Sequence, residues 1–272
     1  MDITMLINEL SHRGITARFE TVTKQGHDLD ALIIDTDTPI IPVFYLRDYQ
    51  SVNEATAADA IAWRIQQSNV MSAQINTDDI KNPDYVLANC RIGLIPTYKA
   101  GKMINRPSEF RGISEHVYYT VNAHNGAGSI TVTDDVLDVI GLDANEVWLH
   151  AYENTLASSV IVDMIDVLPQ QLGVSAPPTE ATPFTMAIVS NEDTCSGAGC
   201  ILNKAMLNEY AEHIGAKRLI LIPSSIHEWI VIPYADDMNI DEINGVVRNV
   251  NSTIDTKDFL SNESFIYDCP TD

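Results

Sequence analysis

The chain has 272 residues, enough for one large or two ordinary domains. Its 38 Asp and Glu residues against 16 Lys and Arg give a formal net charge of -22 at pH 7. Such a charge repels nucleic acid and anionic membranes, so we expect neither as a partner, and a basic protein is the partner it would attract.

Cysteine content and chain hydrophobicity indicate a cytoplasmic protein. Cys90, Cys195, Cys200 and Cys269 are irregularly spaced and form no C-x-x-C pair, so a zinc ribbon is not expected and the thiols should be free. No apolar run is long enough for a membrane helix, and the first residues do not resemble a signal peptide.

The first third of the chain shows a clear order of elements. Ile3, Leu6, Ile7 and Leu10 have the spacing of an amphipathic helix, which Gly14 should end. Three β-rich runs then predict an antiparallel meander, and they are residues 15–26, 27–37 and 38–49.

A second helix is expected around Ala58–Ile65, after which residues 76–111 show no clear pattern. His124-Asn125-Gly126 lies between two β-rich runs and predicts a hairpin turn. Three helices should follow: a short one ending at Gly141, one capped by Asp143 and running to about Ala157, and one over residues 160–168.

A segment rich in Pro, Ala and Thr at residues 172–184 predicts a linker. We therefore expect an N-terminal α+β portion over residues 1–172 and a C-terminal α+β unit over residues 183–272, with a single integrated domain as the alternative. The C-terminal unit follows the order β-α-β-β-α-β. The predicted fold class is α+β, with mostly antiparallel sheets and helices packed on them.

Several segments resemble one known family. "GAGCIL", "LILIPSSIHEWIVIP", "VVRNVNSTI" and "FIYD" in the second half, together with "SITVTDDVLDVIGLDANEVWLHAYENT" before them, are similar to the domain of unknown function 5688 family of anaerobic gut Firmicutes. The resemblance implies a bacterial cytoplasmic protein. It implies nothing about catalysis, because the family has no assigned activity to transfer.

The segment Ser224-Ser225-Ile226-His227-Glu228 contains the residue types of a hydrolase site. On a strand, His227 and Glu228 would point to opposite faces, and side chains two residues apart, such as Ser225 and His227, lie about 6–7 Å apart. We therefore expect a hairpin connection whose serines bind backbone groups. A contact for a small ligand or a partner, and catalysis, are the alternatives.

The segment "SNEDTCSGAGCILNK" is the second candidate site. A strand, a glycine-bearing loop and a helix follow one another there, an order that favours anion binding or a reactive Cys195 or Cys200. The loop lacks the spacing of a phosphate loop, however, and Glu192 and Asp193 would repel phosphate. A buried Cys200 facing the sheet is the simpler expectation.

These observations predict a non-catalytic interaction or regulatory protein. One alternative is a thiol or serine hydrolase that uses Cys200 or Ser225 with His227, and another is an acidic mimic of nucleic acid. No cofactor and no metal site are expected, since Asp134, Asp135 and Asp138 are placed to complement a helix dipole. The sequence makes no prediction of oligomeric state.

Overall fold

A computed structural model describes residues 1–24, 27–35, 41–72, 77–123, 126–164, 186–253 and 256–270. The α-helices are α1 (Ile3–His12), α2 (Glu54–Ser72), α3 (Thr77–Ile80), α4 (Pro83–Asn89), α5 (Asp134–Ile140), α6 (Ala144–Ala157), α7 (Lys204–His213) and α8 (Ile240–Asn251). Short 3-10 helices cover Leu46–Tyr49, Thr97–Lys99 and Gly197–Leu202.

Twelve named strands complete the described secondary structure. They are β1 (Ala17–Lys24), β2 (His27–Ile34), β3 (Val43–Tyr45), β4 (Cys90–Pro96), β5 (Asn105–Pro107), β6 (Ile113–Ala123), β7 (Gly126–Thr131), β8 (Ser159–Asp163), β9 (Ala187–Asn191), β10 (Arg218–Pro223), β11 (Trp229–Pro233) and β12 (Phe265–Asp268). The pairings among these strands are antiparallel wherever the structure gives their register. Together with the helices, they confirm the predicted α+β class.

Contacts divide the chain into two compact units. The first comprises Met1–Val86 and Thr120–Ile130. Its sheet has the order β1-β2-β3, so the predicted meander is confirmed. The predicted first helix is also confirmed, and its start is capped by the Asp2 carboxylate, which accepts the backbone N–H groups of Thr4 and Met5.

The core of the first unit is formed by apolar residues of α1, α2 and the sheet. Its most buried members include Leu6, Leu10, Leu32, Ile34 and Ile61. Helix α2 therefore turns one face inward, and its opposite face carries Asp59 and Trp63 toward solvent.

The second unit comprises Leu87–Tyr119 and Thr131–Asp272. Its larger sheet has the order β12-β10-β11-β9-β8, and a second sheet contains β4-β6-β5. The predicted order of elements in the C-terminal unit is confirmed, from β9 through α7, β10, β11 and α8 to β12. Asn239 caps α8 by accepting the Asp241 N–H, as its sequence position indicated.

The helix predicted over residues 160–168 is wrong over residues 160–163. Residues up to Asp163 belong to strand β8, in which Ile161 pairs with Val189 of β9. A short run of β-branched residues gains more from this sheet edge than from a helix, since its helical propensity is low.

The linker predicted at residues 172–184 lies outside the described residues. The division at 172 and 183 therefore stays a prediction. Strands β8 and β9, from either side of it, are neighbours in one sheet.

Candidate functional site

The Ser-Ser-Ile-His-Glu segment forms the connection between β10 and β11. Pro223 pairs with Trp229, so the five residues between them form a hairpin loop, as predicted. The Ser225 hydroxyl oxygen accepts the His227 backbone N–H at 3.0 Å, and the Ser225 N–H donates to the Glu228 carbonyl at 3.2 Å. Ser225 thus satisfies backbone groups of the turn.

The imidazole of His227 has a contact at each of its nitrogens. Its Nδ1 accepts the backbone N–H of Ser196 at 2.8 Å. Its Nε2 lies 3.5 Å from the Asp258 carboxylate, and both side chains are about one-third exposed. Because Nδ1 is an acceptor, the neutral ring carries its proton on Nε2, on the side of Asp258.

The backbone on either side of His227 is also fixed by other segments. The Ser190 hydroxyl donates to the His227 carbonyl at 2.8 Å. The Ile226 N–H donates to the Asp258 carbonyl at 2.9 Å, and the Ile226 carbonyl accepts the Ala198 N–H at 3.2 Å. The hairpin loop therefore joins the end of β9, the segment near Ser196 and the segment near Asp258.

The loop after β9 is held by the amide side chain of Asn191. That side chain accepts the Cys195 N–H at 3.1 Å and donates to the Cys195 carbonyl at 2.8 Å. Thr194 and Ser196 have left-handed backbone angles, with φ of 50° and 53°. The Tyr118 hydroxyl donates to the Ser196 carbonyl at 3.2 Å, so a strand of the second sheet also supports the turn.

Gly197 follows Ser196 directly, and the surrounding atoms leave no room for a side chain at this position. A Cβ atom there would lie 2.4 Å from the Ser190 hydroxyl oxygen and 2.8 Å from the His227 carbonyl oxygen. The glycine-bearing loop is thus explained by close packing against the hairpin connection. That packing brings Ser196 within reach of His227.

Cys200 lies in the 3-10 helix Gly197–Leu202 and is buried, as the simpler expectation had it. Its sulfur is 4.0 Å from the Thr155 carbonyl oxygen, and within the described part of the chain no hydrogen bond joins it to His227. Burial raises the pKa of the Cys200 thiol, which disfavours the thiolate. Cys195 is exposed on the same loop.

The structure therefore brings Ser225 and His227 together but does not bring Cys200 to them. The contacts of His227 with Ser196, Asp258 and Ser190 were not predicted from the sequence. Each of these residues is separated from His227 by about 30 or more positions, and single-sequence patterns carry no signal for such pairs.

Two further features bear on possible ligands and on the membrane. Over the described ranges, no group of three or more His, Cys, Asp or Glu side chains is arranged to hold a metal ion. Asp134 and Asp135 lie in the first turn of α5, the position predicted for them. None of the helices among the described residues combines the length and the apolar character that crossing a bilayer requires.

Similarity to a known protein family extends over most of the chain. The model of a family of unknown function, DUF5688, matches residues 2–269. No curated protein and no solved structure matches the chain. Because the match covers nearly the whole chain, this protein belongs to the DUF5688 family.

Proposed function

We propose that this protein is a non-catalytic interaction or regulatory protein of the bacterial cytoplasm, and that its Ser-Ser-Ile-His-Glu segment serves the fold. The observation that carries the proposal is the hydrogen bond at Nδ1 of His227. A general base needs an unshared electron pair within reach of the proton that it removes. In His227 that pair is on Nδ1, where it accepts the Ser196 N–H.

The candidate nucleophiles give further support. The Ser225 hydroxyl oxygen accepts a backbone N–H from His227, and the observed hydrogen bonds do not join that hydroxyl to the imidazole. Cys200 is buried, and burial raises its thiol pKa, whereas a nucleophilic cysteine needs an accessible thiolate.

The charge of the chain supports binding as the role. A net charge of -22 attracts a basic protein and repels nucleic acid and anionic membranes. Large apolar side chains also remain exposed, including Trp63 on α2 and Val246 on α8. An exposed tryptophan is a common anchor of protein interfaces.

Activity-based probes test the proposal. A fluorophosphonate and a thiol-directed epoxide should be applied to the folded protein in which Cys195 and Cys269, the less buried cysteines, are changed to serine. We expect no covalent labelling that depends on Ser225 or Cys200. Labelling that disappears in both Ser225→Ala and His227→Ala, or in both Cys200→Ala and His227→Ala, would overturn the proposal.

A serine hydrolase that uses Ser225 with His227 is the second candidate. The observation that favours it is the approach of Asp258 to within 3.5 Å of His227 Nε2, since a carboxylate beside a histidine is part of hydrolase triads. For this function the loop would have to release Nδ1 from Ser196 and turn the Ser225 hydroxyl toward the ring. The serine-directed probe tests this candidate directly.

A further inference from the structure

The first unit carries an open recess between the end of α1 and the exposed side of α2. It has a volume of about 550 Å³, and its walls include Arg13, Ile15, Asp59, Ala62 and Trp63. That volume is within the usual range for sites that accept a ligand or a large side chain. Its walls combine apolar surface with a charged rim.

Trp63 is the largest apolar wall of this recess, and 62% of it is exposed. The opposite side of α2 supplies Ala57, Ala58 and Ile61 to the core, so the helix is fixed while Trp63 points outward. A tryptophan buries on the order of 150–250 Å² when it is covered. A partner that covers Trp63 therefore gains a large apolar contact on a rigid element.

Arg13 and Asp59 line the recess, and the Glu9 carboxylate lies against Arg13, so these three side chains together carry a net charge of about -1. Arg13 donates from Nε to the Asp59 carboxylate at 2.8 Å, and from Nη1 to the Glu9 carboxylate and the Glu9 carbonyl at 2.6 Å. It also donates weakly to the Ala55 carbonyl. One guanidinium thus faces two carboxylates, and the Asp59 side chain remains 71% exposed.

We propose that this recess, called here the Trp63 recess (Arg13, Ile15, Asp59, Ala62, Trp63), binds a segment of a basic protein. The segment places a large apolar side chain against Trp63 and a lysine or arginine at Asp59. A second copy of this chain is disfavoured as the occupant, because each copy carries a charge of -22. The inference rests on the proposed function and names the surface through which that function acts.

A peptide selection tests the inference. A phage library of random peptides is enriched on the folded full-length protein and depleted on a Trp63→Ala variant. We expect the enriched peptides to contain one aromatic or leucine anchor flanked by Lys or Arg. Their affinity should fall about tenfold or more in Trp63→Ala, as for a central interface residue, and severalfold in Asp59→Asn.

Tyr98→Ala is the matched control, because Tyr98 is an aromatic residue of similar exposure (65%) in the second unit. It should leave the affinities unchanged. Circular dichroism and a melting curve establish that each variant is folded. A selection that yields no peptides dependent on Trp63, or peptides without basic residues, would overturn the inference.

The two proposals fail in distinguishable ways. The selection leaves Ser225, His227 and Cys200 unchanged, so a negative result rejects the Trp63 recess and leaves the non-catalytic role standing. Labelling by the activity-based probes rejects the non-catalytic role whatever peptides bind.

Discussion

At the scale of single residues, His227 is of a type that suggests catalysis, and its contacts join segments that are distant in the chain. The sequence placed Ser225, His227 and Glu228 side by side, and the hairpin that connects β10 to β11 was predictable from the apolar runs on both sides. The tautomer of His227 was not predictable, because it depends on Ser196 and Asp258, which are distant in the chain.

The four cysteines should react in the order of their accessibility. Cys195 is exposed, and we expect a maleimide to modify it first. Cys269 should follow more slowly, because burial and the neighbouring Asp268 raise its thiol pKa. Burial raises the pKa of Cys90 to about 12 and also raises that of Cys200, so both should react only after unfolding. Mass spectrometry of peptides follows the reaction, and modification of Cys200 as fast as Cys195 would contradict this account.

The stability of the protein should fall as His116 becomes protonated in the unfolded state. His116 packs over Gly93 on the neighbouring strand, and burial lowers its pKa from 6.5 to about 4. Above pH 6.5 both states are neutral. As the pH falls from about 6.5 to about 4, His116 binds a proton in the unfolded state but not in the folded state. The free energy of unfolding therefore falls by up to about 3 kcal/mol.

Urea unfolding at about pH 7, 5.5 and 4.5 measures this loss. The matched variant is His116→Gln, in which the carboxylates still titrate but the histidine does not. The free energy of unfolding should fall less steeply with pH in His116→Gln than in the natural chain. Equal slopes would show that His116 is not held neutral by the fold.

At the scale of elements, the sequence predicted those whose ends and faces carry local signals. Asp143 and Asn239 marked the starts of α6 and α8 because a cap is a contact between near neighbours. Strand β8 was mistaken for a helix because a short apolar run has no decisive period, and its pairing with β9 is a distant contact. Residues 76–111 gave no clear pattern because they contain short elements, of which β5 has three residues.

The packing of the 3-10 helix Gly197–Leu202 on strand β4 should tolerate no side chain at Gly199. A Cβ atom there would lie 2.0 Å from the Ile92 carbonyl oxygen. This oxygen belongs to the backbone, so no side-chain rotation can relieve the overlap. We expect Gly199→Ala to destabilise the protein by about 3 kcal/mol or more, or to prevent folding.

Gly245 in α8 is the control, because the nearest atom to a Cβ there is the end of the Arg248 side chain at 3.9 Å. Gly245→Ala should raise the free energy of unfolding by about 0.5–1 kcal/mol, since alanine favours a helix. Chemical unfolding compares the two variants. A Gly199→Ala protein as stable as the natural chain would show that the helix and the strand are not in the contact described.

At the scale of the whole molecule, charge is the dominant property. The excess of acidic over basic residues should oppose the compact state through self-repulsion. We expect the melting temperature to rise when NaCl is increased from about 10 mM to about 150 mM, because the screening length then falls from about 30 Å to about 8 Å. Exposed ion pairs such as Arg111–Glu263 act in the opposite direction but contribute little. A melting temperature that falls with salt would mean that attractive pairs outweigh the repulsion.

The tautomer of His227 is the most direct test of the account, because the non-catalytic proposal depends on the hydrogen bond that Nδ1 accepts from Ser196. Nitrogen-15 NMR of the imidazole rings at neutral pH, assigned with a His227→Gln variant, reports which nitrogen carries the proton. The account predicts that Nδ1 is unprotonated and accepts the Ser196 N–H, and that the proton is on Nε2 beside Asp258. A proton on Nδ1 would contradict it, because a protonated Nδ1 cannot accept the Ser196 N–H, and the hydrogen bond on which the non-catalytic proposal rests would then be absent.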